Sequence, residues 1–468
     1  MYPDRQTFLV FGLSCSGIAA SEFLLKKQAN VYLYDETENP RIAEVKKALE
    51  EKGAKSVERE ELSRVEELCD VLVLSPGIPI DHPLAIRFKR AGRAVVGESE
   101  LAVRYMKNPM IAVTGTNGKT TTVSMIADIL NKGGKKAYAC GNIGAPMVNY
   151  CEENEGIAVA EISSFQLETL HSHQPHIAVF LNVTEDHLNR HYNMENYLFL
   201  KGKLLKNLTA AEYAVLNYDD PAVRAFAEKT RAQKLFFSVK ERVRGAYYEK
   251  GELFFGKEKI LSVSSLPSSG IHNVQNALAA IITAKLMGIK TEDIVSGLTS
   301  FKGIKHRIEE IGEVDGVLYI DDSKGTNIDA TIKAVETMQR ETVLLLGGQN
   351  KGYDYKKLFS VLKDSLVVHA IVYGENRYAL LEGARLCGYE KITLCEGFAF
   401  AVRVAALKAK AGQAVLLSPA SASFDEFANY EERGDTFVEI VQSFAVEKGK
   451  GEPMEKGTVG VEESENDE

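Results

Sequence analysis

The segment Met110-Ile-Ala-Val-Thr-Gly-Thr-Asn-Gly-Lys-Thr-Thr-Thr122 passes from an apolar run through a glycine-rich turn toward a helix expected over Val123–Asn131. Such a turn aims backbone N–H groups and a helix N-terminus at phosphate oxygens, Lys119 adds a point charge, and the Thr120 hydroxyl can face Mg²⁺. Gly115, Thr116, Asn117, Gly118, Lys119, Thr120 and Thr121 are therefore expected to hold a nucleotide triphosphate. The pattern departs from G-x-x-x-x-G-K-[ST], because Val113 stands six places before Lys119 and the additional glycine is Gly115.

Carboxylates and imidazoles close the apolar runs that follow. Glu161 ends Ile157-Ala-Val-Ala-Glu161, where a parallel sheet presents its ligand-binding groups, and a carboxylate there can hold Mg²⁺. Val179-Phe-Leu-Asn-Val-Thr-Glu-Asp-His187 delivers Asp186 and His187, suited to metal ligation or to phosphate contact. Glu195–Leu205 reads as a helix bearing Lys201 and Lys203, and spacing alone separates neither lysine from a solvated helix face.

Both ends of the chain carry related patterns. Gly12-Leu-Ser-Cys-Ser-Gly17 follows the first apolar run and opens a helix, with Asp35 ending the second run. That order suits a phosphate turn with an acidic ribose or base contact, but Ser14 in place of the middle glycine disfavours NAD and leaves a uridine nucleotide as reasonable. Cys15, Ser16 and Asp35 are candidate substrate contacts, as is Ser75 in Ser75-Pro-Gly-Ile78. Late in the chain, Arg307 can fork onto phosphate oxygens, and Asp322 with Lys324 could hold ribose or polarise a transferring phosphoryl group. Leu344-Leu-Leu-Gly-Gly-Gln-Asn-Lys351 and Leu417-Ser-Pro-Ala-Ser-Ala-Ser-Phe-Asp-Glu-Phe427 also deliver polar groups from apolar strands.

Positioning these groups calls for α/β architecture. Thr7–Phe11, Val31–Tyr34 and Val71–Leu74 read as strands, alternating with helical patterns over Gly17–Lys27 and Arg41–Lys52. New βαβ runs open at Met110–Val113 and at Val317–Asp321, the latter followed by Val343–Leu346, His369–Val372 and Ala414–Leu417. A chain of 468 residues exceeds one core. The expected domains are 1–98, 99–303 and 304–446, followed by a Gly/Glu/Lys-rich disordered tail at 447–468. A net charge of -9 excludes a general nucleic-acid-binding field, six scattered cysteines suit reduced thiols, and no apolar stretch reaches the roughly 20 residues of a membrane span. The N-terminus has no signal-peptide pattern, so a cytoplasmic location, with ATP at hand, is expected.

Taken in order, Gly-Thr-Asn-Gly-Lys-Thr-Thr, Glu-Ile-Ser-Ser-Phe-Gln-Leu, Asn-Val-Thr-Glu-Asp-His-Leu-Asn-Arg, His-Asn-x-x-Asn-Ala, His-Arg, Asp-Asp-Ser-Lys-Gly-Thr-Asn and Leu-Leu-Gly-Gly resemble a Mur ligase over about residues 5–445. The resemblance implies a Rossmann-like N-terminal domain, a central P-loop ATPase-like parallel-sheet domain and a Rossmann-like C-terminal domain. It implies an ATP-dependent ligase that makes an amide through an acyl phosphate. Its substrates would be UDP-N-acetylmuramoyl-L-alanine and D-glutamate, since the compact Gly-x-x-x-x-Gly start, Ser75-Pro-Gly-Ile78 and the late Leu-Leu-Ser-Pro-Ala-Ser-Ala-Ser-Phe-Asp-Glu-Phe segment resemble the D-glutamate-adding members, and the Asp-Asn-Pro-Arg motif of the diaminopimelate-adding relatives is absent. Carried onto matching positions, Lys119 and its threonines would hold the ATP phosphates and Mg²⁺, and Glu161 and His187 would bind Mg²⁺. Asn142 would face ATP or the phosphoryl-transfer site, and Lys201 would be carbamylated to give an anionic metal ligand, with Lys203 ordinary. His272, Asn273 and Asn276 would contact nucleotide, Arg307, Asp322 and Lys324 would embrace ATP, and Thr326, Lys351, Ser423, Phe424 and Tyr430 would recognise D-glutamate. A monomer is expected. Folylpolyglutamate synthase shares the phosphate-loop logic but resembles the chain less at both ends, and a nucleotide-binding regulator is the alternative from another class.

Overall fold

The computed structural model describes residues 3–152, 155–267, 270–350 and 352–447. Its first sheet has five parallel strands, ordered Lys55–Ser56, Asn30–Tyr34, Thr7–Phe11, Val71–Leu74, Ala94–Val96. The order reverses between Thr7–Phe11 and Val71–Leu74, so Gly12 and Ser75 leave neighbouring strands at one crevice, where such sheets bind ligands. Gly12 has φ +92°, and a β-carbon on it would lie 2.7 Å from Ile78 Cδ1. The helix here is Cys15–Lys26, earlier than the expected Gly17 start: extended Ser14 caps it, which places Cys15 and Ser16 in the first turn. The next helix is Pro40–Glu50, started by Asn39, whose side chain accepts from the Ile42 N–H, and by a proline at its N-terminus.

The second sheet has nine strands. From Ala137–Gly141 it runs through Ile157–Glu161, Met110–Thr114, Ile177–Phe180, Tyr213–Asn217 and Gln233–Ser238 to Gly245–Glu249, all parallel. Antiparallel Glu252–Phe255 and Glu258–Ser262 complete it. The inner strands are continuous apolar runs because helices cover the sheet; Lys119–Lys132 and Ile271–Leu286 bury Val123, Ile126, Ala277 and Ile281. Lys119–Lys132 replaces the expected Val123–Asn131: Thr120, Thr121 and Thr122 are buried inside it, against the weak helix propensity of threonine. The helix Met194–Gly202 and the 3₁₀ turn Lys203–Leu205 fill the expected Glu195–Leu205 segment.

The third sheet has six strands, ordered Glu309–Val314, Val317–Asp321, Ala414–Leu417, Thr342–Gly347, Val367–Tyr373, Ile392–Leu394, with only the first antiparallel to its neighbour. The molecule comprises two compact units, Met1–Lys302 with the first two sheets and Gly303–Glu468 with the third. Among the described residues no helix is long and apolar enough to cross a membrane. Of the disordered tail expected at 447–468, Glu447 instead ends the helix Tyr430–Glu447, and the rest lies outside the described residues.

Where the first sheet hands over to the second, the Glu98–Tyr105 helix begins with a buried carboxylate. Glu98 Oε1 accepts from the Val148 N–H at 2.7 Å and Oε2 from the Ser99 hydroxyl at 3.1 Å. Burial outweighs these bonds and pushes its pKa up to about 7. A folded-state pKa above the unfolded value means the protonated acid stabilises the fold below about pH 4.5, and that contribution is lost as pH rises through about 7. Glu98→Gln keeps an acceptor for Val148 and cannot ionise. Denaturant titrations from pH 4.5 to 8 should show the variant lacking this decline and gaining on the order of 2–3 kcal/mol over wild type at neutral pH; identical pH profiles would refute the assignment.

Candidate active site

After the strand Met110–Thr114, Gly115 and Gly118 take φ +158° and +86°, and Gly118 caps the Lys119–Lys132 helix. A β-carbon on Gly118 would come within 2.4 Å of Asn276 Oδ1, so only glycine fits. The loop is tied from outside. Asn182 accepts the Asn117 N–H at Oδ1, 2.9 Å, and donates Nδ2 to the Asn117 carbonyl at 3.0 Å, while its own carbonyl accepts from the Thr116 N–H. Thr116 Oγ1 donates to the Thr184 carbonyl at 3.1 Å, accepts from the Thr184 N–H at 3.0 Å and lies 3.2 Å from the Tyr197 hydroxyl. Lys119 folds back onto the Gly115 and Thr116 carbonyls at 3.0 and 2.8 Å.

Glu161, at its strand end, accepts from the Thr120 hydroxyl at 2.7 Å through Oε2 and from Asn142 Nδ2 at 2.8 Å through Oε1. Asn276, on the Ile271–Leu286 helix whose first turn carries His272 and Asn273, accepts from the Thr122 hydroxyl at 3.3 Å. His187, with φ +54°, caps the short helix Leu188–His191; its Nε2 is 3.5 Å from Asp186 Oδ2 and its ring stands 4.8 Å from Phe165. Lys201 is 1% exposed and donates to the Gly115 carbonyl at 2.7 Å, so two lysine amines meet at one oxygen. Burial, then the neighbouring Lys119 charge, hold the Lys201 pKa well below the usual lysine range, against the pull of Asp186 and Glu161. The structure thus gathers Lys119, Thr120, Asn142, Glu161, Asn276 and Lys201 at one strand-end corner, and Asp186 faces Lys201 there. Lys203 is no ordinary solvated lysine: it donates to the Leu167 carbonyl at the end of the Ser164–Thr169 helix, and burial lowers its pKa to about 8.

The first-sheet candidates form a second group. Asp35 accepts the Leu13 N–H at 2.7 Å and the Thr37 N–H at 2.8 Å, tying the second strand end to the turn, and the Ser75 hydroxyl donates to the Gly12 carbonyl at 2.7 Å. Exposed Cys15 and half-buried Ser16 sit beside them.

In the second unit, Asp322 is buried, accepts from the Ser418 hydroxyl at 2.7 Å through Oδ2, and has Oδ1 without a hydrogen-bond partner. Burial raises its pKa to about 6, opposed by the Arg307 guanidinium. Lys324 donates to the Tyr430 hydroxyl at 2.6 Å, and Thr326 follows on the same loop. Arg433, fully buried, joins that loop to the Ser418–Tyr430 segment by donating to the Ser323 hydroxyl and the Ser421 carbonyl. Ser423 is buried, Phe424 is 65% exposed, and Lys351 lies outside the described residues.

Matches to family models run along the chain in order: "Mur ligase MurD-like, N-terminal domain" at residues 6–97, "Mur ligase middle domain" at 113–284 and "Mur ligase, glutamate ligase domain" at 306–421. A UDP-N-acetylmuramoylalanine–D-glutamate ligase of Pelotomaculum thermopropionicum is 40% identical over 455 residues, spanning 94% of this chain and 98% of the relative. This chain belongs to the Mur ligase family. The protein of the same name from Clostridioides difficile is 36% identical over 443 residues, spanning 93% and 98% of the two chains. Among solved structures, UDP-N-acetylmuramate-alanine ligase from Thermotoga maritima superposes with a TM-score of 0.62 at 19% identity, covering 94% of this Mur ligase and all of that chain. Folylpolyglutamate synthase of Mycobacterium tuberculosis gives 0.57 at 12% identity over 73% and 92%. The first shares its three-domain α/β fold, and the second shares the fold over the part that it covers.

Several working residues of this Mur ligase carried no individual signal in the sequence: Asn182, which clamps the loop, Glu168 and Arg190 beside His187, and Arg433. Asn182 and Arg190 lie within the Asn-Val-Thr-Glu-Asp-His-Leu-Asn-Arg motif, which flags the segment without separating its bracing residues from the rest.

Proposed function

We propose that this Mur ligase joins D-glutamate to UDP-N-acetylmuramoyl-L-alanine, consuming ATP, as a step of peptidoglycan precursor synthesis. The observation that carries this reading is identity of 36–40% along nearly the full chain to ligases of that name. A free carboxylate is a poor electrophile, so it first takes the γ-phosphoryl group of ATP; the amine of D-glutamate then attacks the acyl phosphate, and phosphate leaves. Gly115, Thr116 and Asn117 shape the loop, and the N–H groups from Gly118 to Thr121 with the Lys119 ammonium bind the ATP phosphates, with Asn142 and Asn276 beside them.

Thr120 and Glu161 suit Mg²⁺: a hydroxyl and a carboxylate already share one hydrogen bond at the strand end, and hard oxygen donors are what that ion takes, while His187 is assigned to the same ion as a nitrogen donor. Bound there, the ion would offset charge on the transferring phosphoryl group. An ammonium at Lys201 does not fit such a site, whereas burial and the Lys119 charge favour the neutral amine, which can add to CO₂, release a proton and become a carbamate with oxygen donors. In the second unit, the unpartnered Asp322 oxygen suits a ribose hydroxyl, with Arg307 and Lys324 directed to phosphate. Thr326, Lys351, Ser423, Phe424 and Tyr430 are assigned to D-glutamate, and Cys15, Ser16, Asp35 and Ser75 to the uridine nucleotide. The division at 98 and 303, a cytoplasmic location and a monomer belong to the same proposal.

The test is ATP-dependent phosphate release with UDP-N-acetylmuramoyl-L-alanine and Mg²⁺, comparing D-glutamate with L-glutamate, L-lysine and meso-diaminopimelate. D-glutamate alone should drive release and a new amide. A response only to another amino acid would move the substrate, and no response to any would remove the ligase assignment.

A further inference from the structure

Arg190 sits three residues after His187, in the single helical turn Leu188–His191, with its side chain 12% exposed. Its guanidinium forks onto Glu168, Nε to Oε1 at 3.0 Å and a terminal nitrogen to Oε2 at 2.6 Å. The remaining N–H groups reach three successive carbonyls of the loop that leaves the first sheet: Gly77 at 3.1 Å, Pro76 at 3.3 Å and Ile78 at 2.7 Å. The same loop holds the Gly12 turn, through the Ser75 hydroxyl on the Gly12 carbonyl and through Ile78, whose side chain fills the space beside Gly12. On the other side, the Phe165 ring lies between the guanidinium, 5.0 Å away, and the His187 imidazole, 4.8 Å away.

We propose that Arg190 is a positioning residue, a latch that sets the distance between the turn assigned to the uridine nucleotide and the His187 corner where the acceptor carboxylate must arrive. The proposal rests on the substrate assignment made above. A substrate anchored by its nucleotide at Gly12 reaches the phosphoryl group only if that spacing is right, and an ångström of misplacement is costly in rate. Only a planar group with five N–H donors can meet a carboxylate and three carbonyls together; lysine has three donors and no fork. The nucleotide triphosphate loop takes its own shape from Asn182, Thr184 and Tyr197, and Arg190 connects to that set at one remove, through Glu168 and the His191 ring stacked on Tyr197.

Arg190→Lys and Arg190→Ala should therefore raise the KM for UDP-N-acetylmuramoyl-L-alanine, and its Kd measured by calorimetry without amino acid, by about tenfold, with the KM for ATP unchanged. Millimolar guanidinium should restore part of the loss in Arg190→Ala and none in Arg190→Lys. If Arg190 is simple glue between the two sheets, the active fraction falls while both KM values stay as in wild type. That result, or an equal rise in the KM for ATP, overturns the latch. Wild type that makes no amide sinks the substrate assignment instead, and the calorimetric comparison still decides on Arg190; a wild type that does not bind the uridine nucleotide overturns both.

Discussion

Lys201→Ala is expected to lower turnover by about a thousandfold or more, and millimolar formate or acetate should return part of it. The amine is buried against the Gly115 carbonyl, with Lys119 on the same oxygen, and neither burial nor a neighbouring cation favours a second ammonium there. A neutral amine reacts with CO₂, and the resulting anion would join Asp186 and Glu161, whose charges already act on Lys201. Alanine removes both the nitrogen and its adduct, leaving a gap that a small carboxylate can enter. Lys203→Ala is the control, because Lys203 braces the end of the Ser164–Thr169 helix and does not face the phosphate loop. Labelled bicarbonate should give a carbamate carbon resonance in wild type and Lys203→Ala that is absent from Lys201→Ala. Equal losses at both lysines with no rescue would sink the carbamate.

Glu161→Gln should cost about 10²–10³ in kcat and move the Mg²⁺ dependence to higher concentration. The wild-type carboxylate accepts from Thr120 and Asn142 at once, so the strand end presents a negative group already fixed in direction. The amide has one acceptor oxygen and one donor nitrogen, and the Thr120 hydroxyl can rotate to accept, so the fold is expected to survive while the charge is lost. Thermal unfolding within a degree or so of wild type, with a right-shifted Mg²⁺ titration, is the expected pair of observations. A variant with the wild-type Mg²⁺ curve would show that Glu161 is no metal ligand.

The strands that end in chemistry were readable because each is an apolar run buried on both faces and stopped by a polar group; Ile157–Glu161 and Ala414–Leu417 needed no partner information. The far edge of the central sheet was not readable. Gln233–Ser238, Glu252–Phe255 and Glu258–Ser262 mix charged and apolar residues, as strands do where one side meets solvent, and their pairing depends on neighbours far along the chain. The same limit hid Arg190, whose carbonyl partners lie more than a hundred residues earlier. Lys203 misled for a different reason: adjacency to Lys201 on a helical segment says nothing about which carbonyls a turn has left uncapped. The early start of the Lys119–Lys132 helix escaped because successive threonines argue against a helix until the sheet buries them.

The clamp on the triphosphate loop has a thermodynamic consequence. Asn182 holds both backbone groups of Asn117, and Thr184 fixes Thr116 from the other side. Ordering a free backbone residue costs roughly 1–2 kcal/mol, and here that cost falls on folding, before any nucleotide arrives. Association then spends little on entropy, so the Thr116 and Asn117 amides should resist hydrogen exchange in the ligand-free enzyme nearly as well as in the complex.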